Sequence, residues 1–499
     1  MADRKLGIAA GNQLGAEAAA HVALSGGNAV DACLASAIAA WVSEPFFASV
    51  AGSGFVAIRT PEGDVEVIDG NSGMPHTVPE EPGQGWNRAF LPNYADGIYV
   101  GVGPGSVAVP GALAAVHKAW ERHGRIEWPA LFETSISAAR EGILFPKTSA
   151  YYLSATYDEV WSLYPASREL FAPDGRQLPE GAPFVQGKLA DALEMIAEQG
   201  PDVFYRGALG QQIVDELKVE GGFLELSDLD GYEALVRRPV ETDAFGWRIE
   251  ANPPPSVGGA SLTHILALLA EADLDDPVKR LSAIVEAQGV SMGYRRERYG
   301  DPSSVAAGLE EALAQLKLKA PRSSSTTHTS SADSDGYVCS ITESNGYGSG
   351  LIVHGILLND TLGEEELNPL GIHRLPPGSR CHSNMTPTIA SGPDRTVGLG
   401  SPGADRIVAA IAQTLLRLAV DGDSLAEAVA APRAYLDLRE QGETLCYEPE
   451  LPGDLLGYIP RPYDEIHMFF GGVQAAMVDK DGNVDAVHDP RRSGASLVV

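Results

Sequence analysis

Residues 323–341 read SSSTTHTSSADSDGYVCSI, and this stretch decides the fold. Small and polar residues alternate from Thr326 to Asp333, as in a strand with two different faces. The dipeptide Asp335-Gly336 is typical of a tight hairpin turn, after which YVCSIT continues the alternation. Helical patterns dominate before this stretch, whereas strands and helices mix after it. This change of texture predicts layered α/β packing.

Upstream of the stretch, the sequence predicts two alanine-rich helices over residues 12–24 and 28–43, with Asn28 as the N-cap of the second. The segments FVAIRT and VEVID, joined by a polar turn, predict a hairpin. Residues 127–240 are predicted to be mainly helical, and a last helix is predicted over residues 303–320.

Downstream of the stretch, LIVHGILLND predicts one strand, and TPTIASG and RTVGLGS predict two more. The segment 365–382 predicts a loop because it is rich in Pro, Gly and charge. DRIVAAIAQTLLRLAV predicts a strong amphipathic helix, and a hairpin across Asp481-Gly482 follows near the end of the chain.

Charge and cysteine usage narrow the possible partners. The 499 residues carry 36 Lys and Arg against 67 Asp and Glu, a formal charge of −31. A field this acidic repels phosphate backbones and anionic lipids, so nucleic acid and membrane surfaces are not expected as partners. The four cysteines form no CxxC pair, so no disulfide framework is predicted. No signal peptide is recognisable, and the expected location is the cytoplasm, although a chain trimmed of a signal peptide would look the same.

Common catalytic motifs are missing from the sequence. It contains no GxSxG elbow, no phosphate-binding Walker loop and no HExxH metal motif, and no cofactor or metal is implied. The Gly spacing in GVGPGSVAVPG is also seen in dinucleotide loops, but its prolines favour a structural turn. His328, His373 and His382 are interpreted as loop or surface residues. A Ser-His-Asp triad stays open, because its members need not be adjacent in sequence.

The hydroxyl cluster from Ser323 to Thr327 has two interpretations, a Ser/Thr-rich linker or the site of a nucleophile. If the chain is cut before Thr326, the new α-amine can accept the proton of the threonine hydroxyl. Such an amine titrates at about pH 8, close to working pH, where a general base is effective. Thr326 begins a predicted strand, as this mechanism requires.

Further stretches follow one another in the order of a known enzyme family: SGGNAVDACLASAIAAWVSEP, VAGSGF, PDVFYRGALGQQIV, PPPSVGGASL, STTHTSSADSDGYVCSIT, SNMTPTIASG, GSPGADRIV and DGNVDAVHDPRRSG. With them the chain resembles, nearly end to end, the γ-glutamyltranspeptidases, which are N-terminal-nucleophile hydrolases. The resemblance implies a four-layer αββα sandwich made as one precursor. It also implies self-cleavage between Ser325 and Thr326 into a large subunit, 1–325, and a small subunit, 326–499, that stay associated, with a higher oligomer possible.

On the catalytic side, the resemblance implies that Thr326 is both the nucleophile and the N-terminal base. Ser344 stands where the family has a Thr that supports the nucleophile by a hydrogen bond. Gly403 and Ala404, in GSPGADR, match the pair whose backbone N–H groups form the oxyanion hole. Ala in place of the second Gly keeps that N–H group.

On the substrate side, the sequence departs from the family pattern. Asn71 stands in place of the Arg that holds the glutamyl α-carboxylate, and losing a bidentate guanidinium is not a conservative change. Either the site prefers a neutral or cationic acyl group, or a nearby Arg such as Arg59 or Arg380 replaces the missing one in space. The other candidate substrate-binding residues are Asn345, Thr361, Glu364, Ser383 and Asn384.

The sequence therefore predicts an autoprocessing threonine amidohydrolase or acyltransferase that acts on a small-molecule amide or peptide. A loop at 365–382 that is shorter than the family's favours water as the acceptor. Two alternatives stay open. One is a relative recruited to another amide, peptide or specialised metabolite, including carbon–carbon bond hydrolysis. The other is a non-catalytic binding protein on the same fold.

Overall fold

A computed structural model describes residues 4–94, 97–298, 325–365, 367–368, 370–438 and 443–499. The helix predicted over residues 303–320 lies outside these ranges. Within them, no helix is both long enough and apolar enough to cross a membrane.

The strands of the described residues are numbered in chain order. They are β1 Leu6–Ala10, β2 Ser53–Arg59, β3 Val65–Gly70, β4 Asn87–Leu91, β5 Ile98–Val102, β6 Ile143–Leu144, β7 Pro183–Phe184, β8 Leu235–Arg237, β9 Val240–Ala244, β10 Trp247–Ala251, β11 Ser325–Asp333, β12 Val338–Gly346, β13 Ile352–Val353, β14 Ile356–Leu357, β15 Thr388–Ser391, β16 Arg395–Gly400, β17 Ala434–Asp437, β18 Thr444–Tyr447, β19 Ile459–Pro462, β20 Gln474–Asp479, β21 Val484–Val487 and β22 Ala495–Val498.

The α-helices of the same ranges are numbered likewise. They are α1 Gln13–Leu24, α2 Ala29–Ser43, α3 Ala112–His123, α4 Glu133–Glu141, α5 Lys147–Thr156, α6 Pro165–Phe171, α7 Gly187–Gln199, α8 Asp202–Tyr205, α9 Ala208–Val219, α10 Leu226–Asp230, α11 Val257–Ala270, α12 Pro277–Arg298, α13 Arg406–Leu416 and α14 Leu425–Ala430.

Two antiparallel sheets form the centre of the fold. The seven-stranded sheet has the order β22-β1-β11-β12-β2-β3-β8, and the six-stranded sheet has the order β21-β20-β16-β15-β10-β9. Both sheets combine strands from before and after residue 325, so neither sheet could form completely from one part of the chain alone. Strand β11, which begins at the predicted cleavage site, lies between β1 and β12 inside the first sheet.

The sheets pack face to face, and helices cover both outer faces. The core between the sheets includes Phe55, Ala332, Ile389 and Ala476. Helices α1, α2 and α3 share a second core with the seven-stranded sheet, and α11 and α13 share a third with the six-stranded sheet. The arrangement is an αββα sandwich, so the predicted fold class is confirmed.

Helix α2 shows how composition fixes one of these layers. Asn28 caps its start as predicted, and its side chain and that of Asp31 form a reciprocal capping box. All fifteen residues of the helix are buried, and seven of them are Ala or Cys. Small side chains allow the helix to lie close to the sheet while burying its whole circumference.

One predicted strand is wrong. The segment LIVHGILLND forms a small hairpin of β13 and β14 instead of a single strand. His354 and Gly355 both take positive φ angles, 50° and 79°, as the two central residues of a tight hairpin turn require. The sequence pattern predicted a single strand because apolar residues alternate on both sides of the turn. The first residue of the turn is His, whereas Asn or Asp is usual there.

Candidate active site

Thr326 lies near the start of β11, where the regular pairing with β12 begins. It stands directly opposite Ser344, and the register shifts between Ser325 and Thr326. Directly opposed residues of an antiparallel pair have Cβ atoms about 4.5–5.5 Å apart, within reach of a hydrogen-bond network. Thr326 is 3% exposed. The rigid sheet therefore holds the threonine hydroxyl in a buried position.

A small cavity lies against Thr326. It collects residues from seven separate segments of the chain. The residues that line it are Ser53, Asn71, Thr326, Ser344, Thr361, Glu364, Leu367, His382, Ser383, Asn384, Met385 and Ile407. Seven of the candidate residues named from the sequence are therefore brought together.

Asn71 is tied into the wall of this cavity by its own side chain. Its amide nitrogen donates to the carbonyl of Cys381 at 2.5 Å, and the Cys381 N–H donates to the carbonyl of Ser72 at 2.9 Å. Asn71 is 1% exposed, and its carbonyl accepts from the hydroxyl of Tyr232. The amide thus positions the segment that carries Ser383 and Asn384.

Neither arginine considered as a substitute lines the small cavity. Arg380 donates to the carbonyl of Asn71 and to that of Glu233, and its guanidinium lies over the ring of Tyr232, 4.0 Å from the centroid. Arg59 donates to the carbonyl of Gly336, at the opposite end of β2 from Ser53. The cavity's lining, all of it described, contains no Lys or Arg, and Glu364 is its one carboxyl group.

The acidic side of the cavity is held in place by a glycine turn. Asp360 accepts from the backbone N–H groups of Tyr347 and Gly348, at 2.6 and 3.0 Å. A Cβ at Gly346 would lie 2.0 Å from Asp360 Oδ1 and 3.1 Å from Glu364 Oε1, and its φ is +65°. Only glycine fits there, because a side chain would displace both carboxylates.

Asn345, also named as a substrate-binding candidate, is placed differently. Its side chain is fully buried and does not line the small cavity. Within the described residues neither its amide nitrogen nor its amide oxygen has a hydrogen-bond partner. An amide buried in this way is costly unless something else satisfies it.

Gly403 and Ala404 form a strained turn just before α13. Their φ angles are 128° and 56°, and neither backbone N–H donates to an acceptor among the described residues. Their neighbours Pro402, Asp405 and Ile407 line cavities that also contain Thr326. Two free N–H groups at a helix N-terminus favour a negative charge in front of them.

A large cleft of about 880 Å³ opens on the other side of Thr326. Its walls carry many aromatic rings, from Phe47, Tyr94, Tyr151, Tyr152, Tyr435, Tyr463 and Phe469. Its charged residues are five basic and three acidic: Lys147, Arg406, Arg461, Arg491 and Arg492 against Asp405, Asp437 and Glu465. Sequence reasoning missed this cleft, although RPYDEIHMFF and DPRRSG concentrate arginine and aromatic residues near the end of the chain.

Two carboxyl groups are buried on the opposite face of β11 and β12. Glu44 accepts from the hydroxyl of Thr327 at 2.6 Å and from the amide of Asn12 at 3.0 Å. Glu343 accepts from the indole N–H of Trp41 at 3.0 Å. Burial raises the pKa of both carboxyls, that of Glu343 to about 8. Glu343 is therefore largely protonated at neutral pH.

The three histidines predicted to be loop or surface residues are all buried; His373 and His382 do lie in loops, whereas His328 lies in β11. His328 lies between the sheets, 2.8 Å from Thr342 Oγ1 and 2.9 Å from Ser330 Oγ, and burial lowers its pKa to about 3. His373 is buried against the carbonyl of Gly105. His382 lines the small cavity, and its place beside Ser383 was the signal that could have revealed it.

Comparison with known proteins decides the family. The sequence model described as gamma-glutamyltranspeptidase matches residues 15–499. The chain belongs to the gamma-glutamyltranspeptidase family. The sequence predictions of this family, of its N-terminal-nucleophile fold and of a hydrolytic enzyme are thereby confirmed.

Relatives within the family carry different names. The glutathione hydrolase proenzyme of Escherichia coli (strain K12) is 28% identical over 93% of this chain and 87% of that protein. The acylase ACY 1 proenzyme of Pseudomonas sp. (strain SE83) is also 28% identical, over 99% of this chain and 93% of that protein. The crystal structure of cephalosporin acylase from Bacillus halodurans is 24% identical with a TM-score of 0.84, covering 99% of this chain and 96% of that one. The last comparison supports the fold.

Proposed function

We propose that this member of the gamma-glutamyltranspeptidase family hydrolyses amides through an acyl-enzyme on Thr326, after cutting its own chain before that residue. The observation that carries the proposal is the small cavity, where Thr326 and Ser344 meet the candidate acyl-binding residues Asn71, Glu364 and Asn384. These residues come from segments that are far apart in sequence. Their convergence on a single hydroxyl is what a catalytic site requires.

Maturation would proceed as an N-to-O acyl shift. The Thr326 hydroxyl attacks the carbonyl carbon of Ser325, an ester forms, and the peptide nitrogen leaves as the free amine with the hydroxyl proton. Water then hydrolyses the ester, which leaves a carboxylate on Ser325. The break in regular strand pairing between these two residues supports this position for the cut.

Turnover would reuse the same atoms. The new amine of Thr326 accepts the hydroxyl proton as the oxygen attacks the substrate carbonyl. The N–H groups of Gly403 and Ala404 stabilise the oxyanion, and the amine half of the substrate leaves with the proton. Water, activated by the same amine, hydrolyses the acyl ester and releases the acid. Because the sheet is buried on both faces, it holds the hydroxyl and the amine of Thr326 in fixed positions.

The acyl group is proposed to carry an amine but no carboxylate next to it. Glu364 is the one carboxyl group in the described lining of the small cavity, and that lining contains no Lys or Arg. An acyl carboxylate would be desolvated without a counter-charge, which disfavours a γ-glutamyl group. We therefore expect the 4-aminobutyryl group, which is γ-glutamyl without its α-carboxylate, to be accepted better.

The first test concerns maturation. Purified wild-type protein should give two fragments on a denaturing gel, and the N-terminal sequence of the smaller one should read TTHTSS. Thr326→Ala should stay a single chain of 52.6 kDa without turnover, whereas Thr326→Ser should still be cut. A different start residue, or normal processing of Thr326→Ala, would refute the assignment. An uncut wild-type chain would favour a binding protein.

The second test concerns the acyl group. Three 4-nitroanilides, with 4-aminobutyryl, γ-glutamyl and glutaryl groups, differ only in the amine and the carboxylate. We expect kcat/KM to fall in that order, with a KM for the γ-glutamyl compound above about 1 mM. An uncatalysed blank corrects for cyclisation of the first compound. A sub-millimolar KM for the γ-glutamyl anilide would show that the family's acyl specificity is retained.

The state and location of the protein are also proposals. Both sheets contain strands from both sides of residue 325, which supports fragments that stay associated after cleavage. All four cysteines are buried and form no disulfide among the described residues, which supports a reducing compartment, the cytoplasm. Cell fractionation with an antibody against the chain tests the location.

A further inference from the structure

The large cleft lies in the right position for the half of the substrate that the small cavity does not hold. Thr326 lines both the small cavity and the large cleft. An amide bound across Thr326 must direct its acyl half to one side and its amine half to the other. Since the small cavity carries the candidate acyl-binding residues, the large cleft lies on the side of the amine half.

The charge of the cleft is opposite to that of the protein. The whole chain carries a formal charge of −31, yet the cleft is lined by five basic and three acidic residues. Arg491 is already paired with Glu448 and Asp489. Concave sites lined by one sign of charge concentrate ligands of the other sign. Arg406 lies 3.8 Å from Asp405, so the excess of positive charge is small, but the lining is far less acidic than the chain as a whole and admits an anionic ligand.

Arg492 is the basic residue placed to hold such a ligand close to the nucleophile. Together with Thr326 and Glu44 it lines a gap of about 10 Å³ between the cleft and the sheet. Its buried Nε atom has no hydrogen-bond partner among the described residues. Burial lowers the pKa of its guanidinium, whereas Tyr94 and Glu44 raise it. A buried N–H donor without an acceptor is unfavourable until a ligand accepts from it.

Aromatic rings extend this site away from Thr326. The guanidinium of Arg406 lies 4.6 Å from the centroid of Phe469, and that of Arg461 lies 5.8 Å from the same ring. Tyr463 stacks on Phe469 at 5.4 Å with 23° between the planes. The buried Nε of Arg406 also has no hydrogen-bond partner among the described residues. Flat rings beside guanidinium groups suit a planar ligand that carries a carboxylate.

We propose that the large cleft binds the amine half of the substrate, and that this half is a planar aromatic or heteroaromatic amine bearing a carboxylate held by Arg492. The inference rests on the proposed amide hydrolysis at Thr326. It places recognition of a substrate carboxylate on the leaving-group side, across the nucleophile from the acidic small cavity.

The experiment compares two leaving groups on one acyl group. The substrates are the 4-nitroanilide and the 3-carboxy-4-nitroanilide of 4-aminobutyrate, with the γ-glutamyl pair measured in parallel. We expect the carboxylated anilide to have a KM lower by about tenfold, as one hydrogen-bonded charge pair provides. This advantage should shrink as NaCl rises from about 0.05 to 0.5 M. Equal KM values for the two leaving groups would overturn the inference.

Variants then assign the effect to Arg492. In Arg492→Gln the ratio of the two kcat/KM values should fall towards one, and Arg492→Lys should restore part of it. Arg59→Gln, at the far end of β2, is the matched control and should keep the wild-type ratio. An unchanged ratio in Arg492→Gln would refute the assignment. If that variant is not processed, product inhibition of the wild-type enzyme decides: 5-amino-2-nitrobenzoate should inhibit more strongly than 4-nitroaniline, and equal inhibition refutes the proposal.

The outcomes separate the two proposals. Hydrolysis of both anilides with the same KM overturns the assignment of the cleft and leaves amide hydrolysis at Thr326 intact. No hydrolysis of any anilide by a chain that remains uncut overturns the proposed function itself.

Discussion

On one side of Thr326, a small cavity has a polar lining with Glu364 as its one carboxyl group, and the side chain of Asn71 is hydrogen-bonded into its wall. On the other side, a cleft of about 880 Å³ is open, aromatic and rich in arginine. Thr326 lines both sites, so the two environments adjoin across a single residue of the sheet. The comparison teaches that specificity for the two halves of an amide can be set independently, because different loops build the two sides.

The largest effect on turnover is expected from changes in the Gly403-Ala404 turn, which adjoins both the small cavity and the large cleft. Gly403→Pro removes a backbone donor, so turnover of every anilide should fall by about 10²–10³ or more. Ala404→Gly keeps the donor and relieves a residue with φ of 56°, so it should retain activity. Kinetics on protein with a wild-type melting profile make the comparison. Full activity of Gly403→Pro would refute the oxyanion assignment.

The acidic side of the comparison is tested by Glu364→Gln. Loss of the carboxylate should lower the preference for 4-aminobutyryl over glutaryl anilide by about tenfold, because a charged partner of the amine is removed. The preference for a carboxylated leaving group should stay as in the wild type. Asp360→Asn is unsuitable as a control, because Asp360 holds the adjoining turn. An unchanged acyl preference would show that Glu364 does not face the substrate.

A smaller effect is expected when a cation is added to the acidic side. Asn71→Arg should lower the KM for γ-glutamyl anilide several-fold, because a guanidinium can keep a donor for the Cys381 carbonyl and face the α-carboxylate as well. Asn71→Gln serves as the neutral control. If both variants raise KM equally, the link to Cys381 matters more than the missing charge.

The smallest effect on catalysis is expected from the opposite face of the sheet. Glu343 has a folded-state pKa of about 8, above its ordinary value, so the stability it contributes is complete at low pH and is lost as pH rises towards 8. Glu343→Gln should remove this dependence and raise the melting temperature at pH 8 more than at pH 5. Melting curves at the two pH values measure it. An equal shift at both pH values would show that Glu343 does not titrate in this range.

Local sequence patterns predicted the structural elements that depend on interactions between residues close together in the sequence. The capping residue Asn28, the hairpin turn at Asp335-Gly336 and the strand that begins before Thr326 were all confirmed. Patterns failed where a turn used an unusual residue, as at His354, or where a strand is completed by a distant partner. The terminal strand β22 is such a case, because it is stabilised by pairing with β1 at the other end of the chain.

By itself, the sequence determined the family, the four layers and the hydroxyl at which the chain is expected to react, since these depend on short motifs and their order. Only the tertiary structure decided where side chains point. It engaged Asn71 with the carbonyl of Cys381, turned Arg380 onto Tyr232, and placed Arg492 beside Thr326. Such directions result from packing between segments hundreds of residues apart, and no local pattern encodes them.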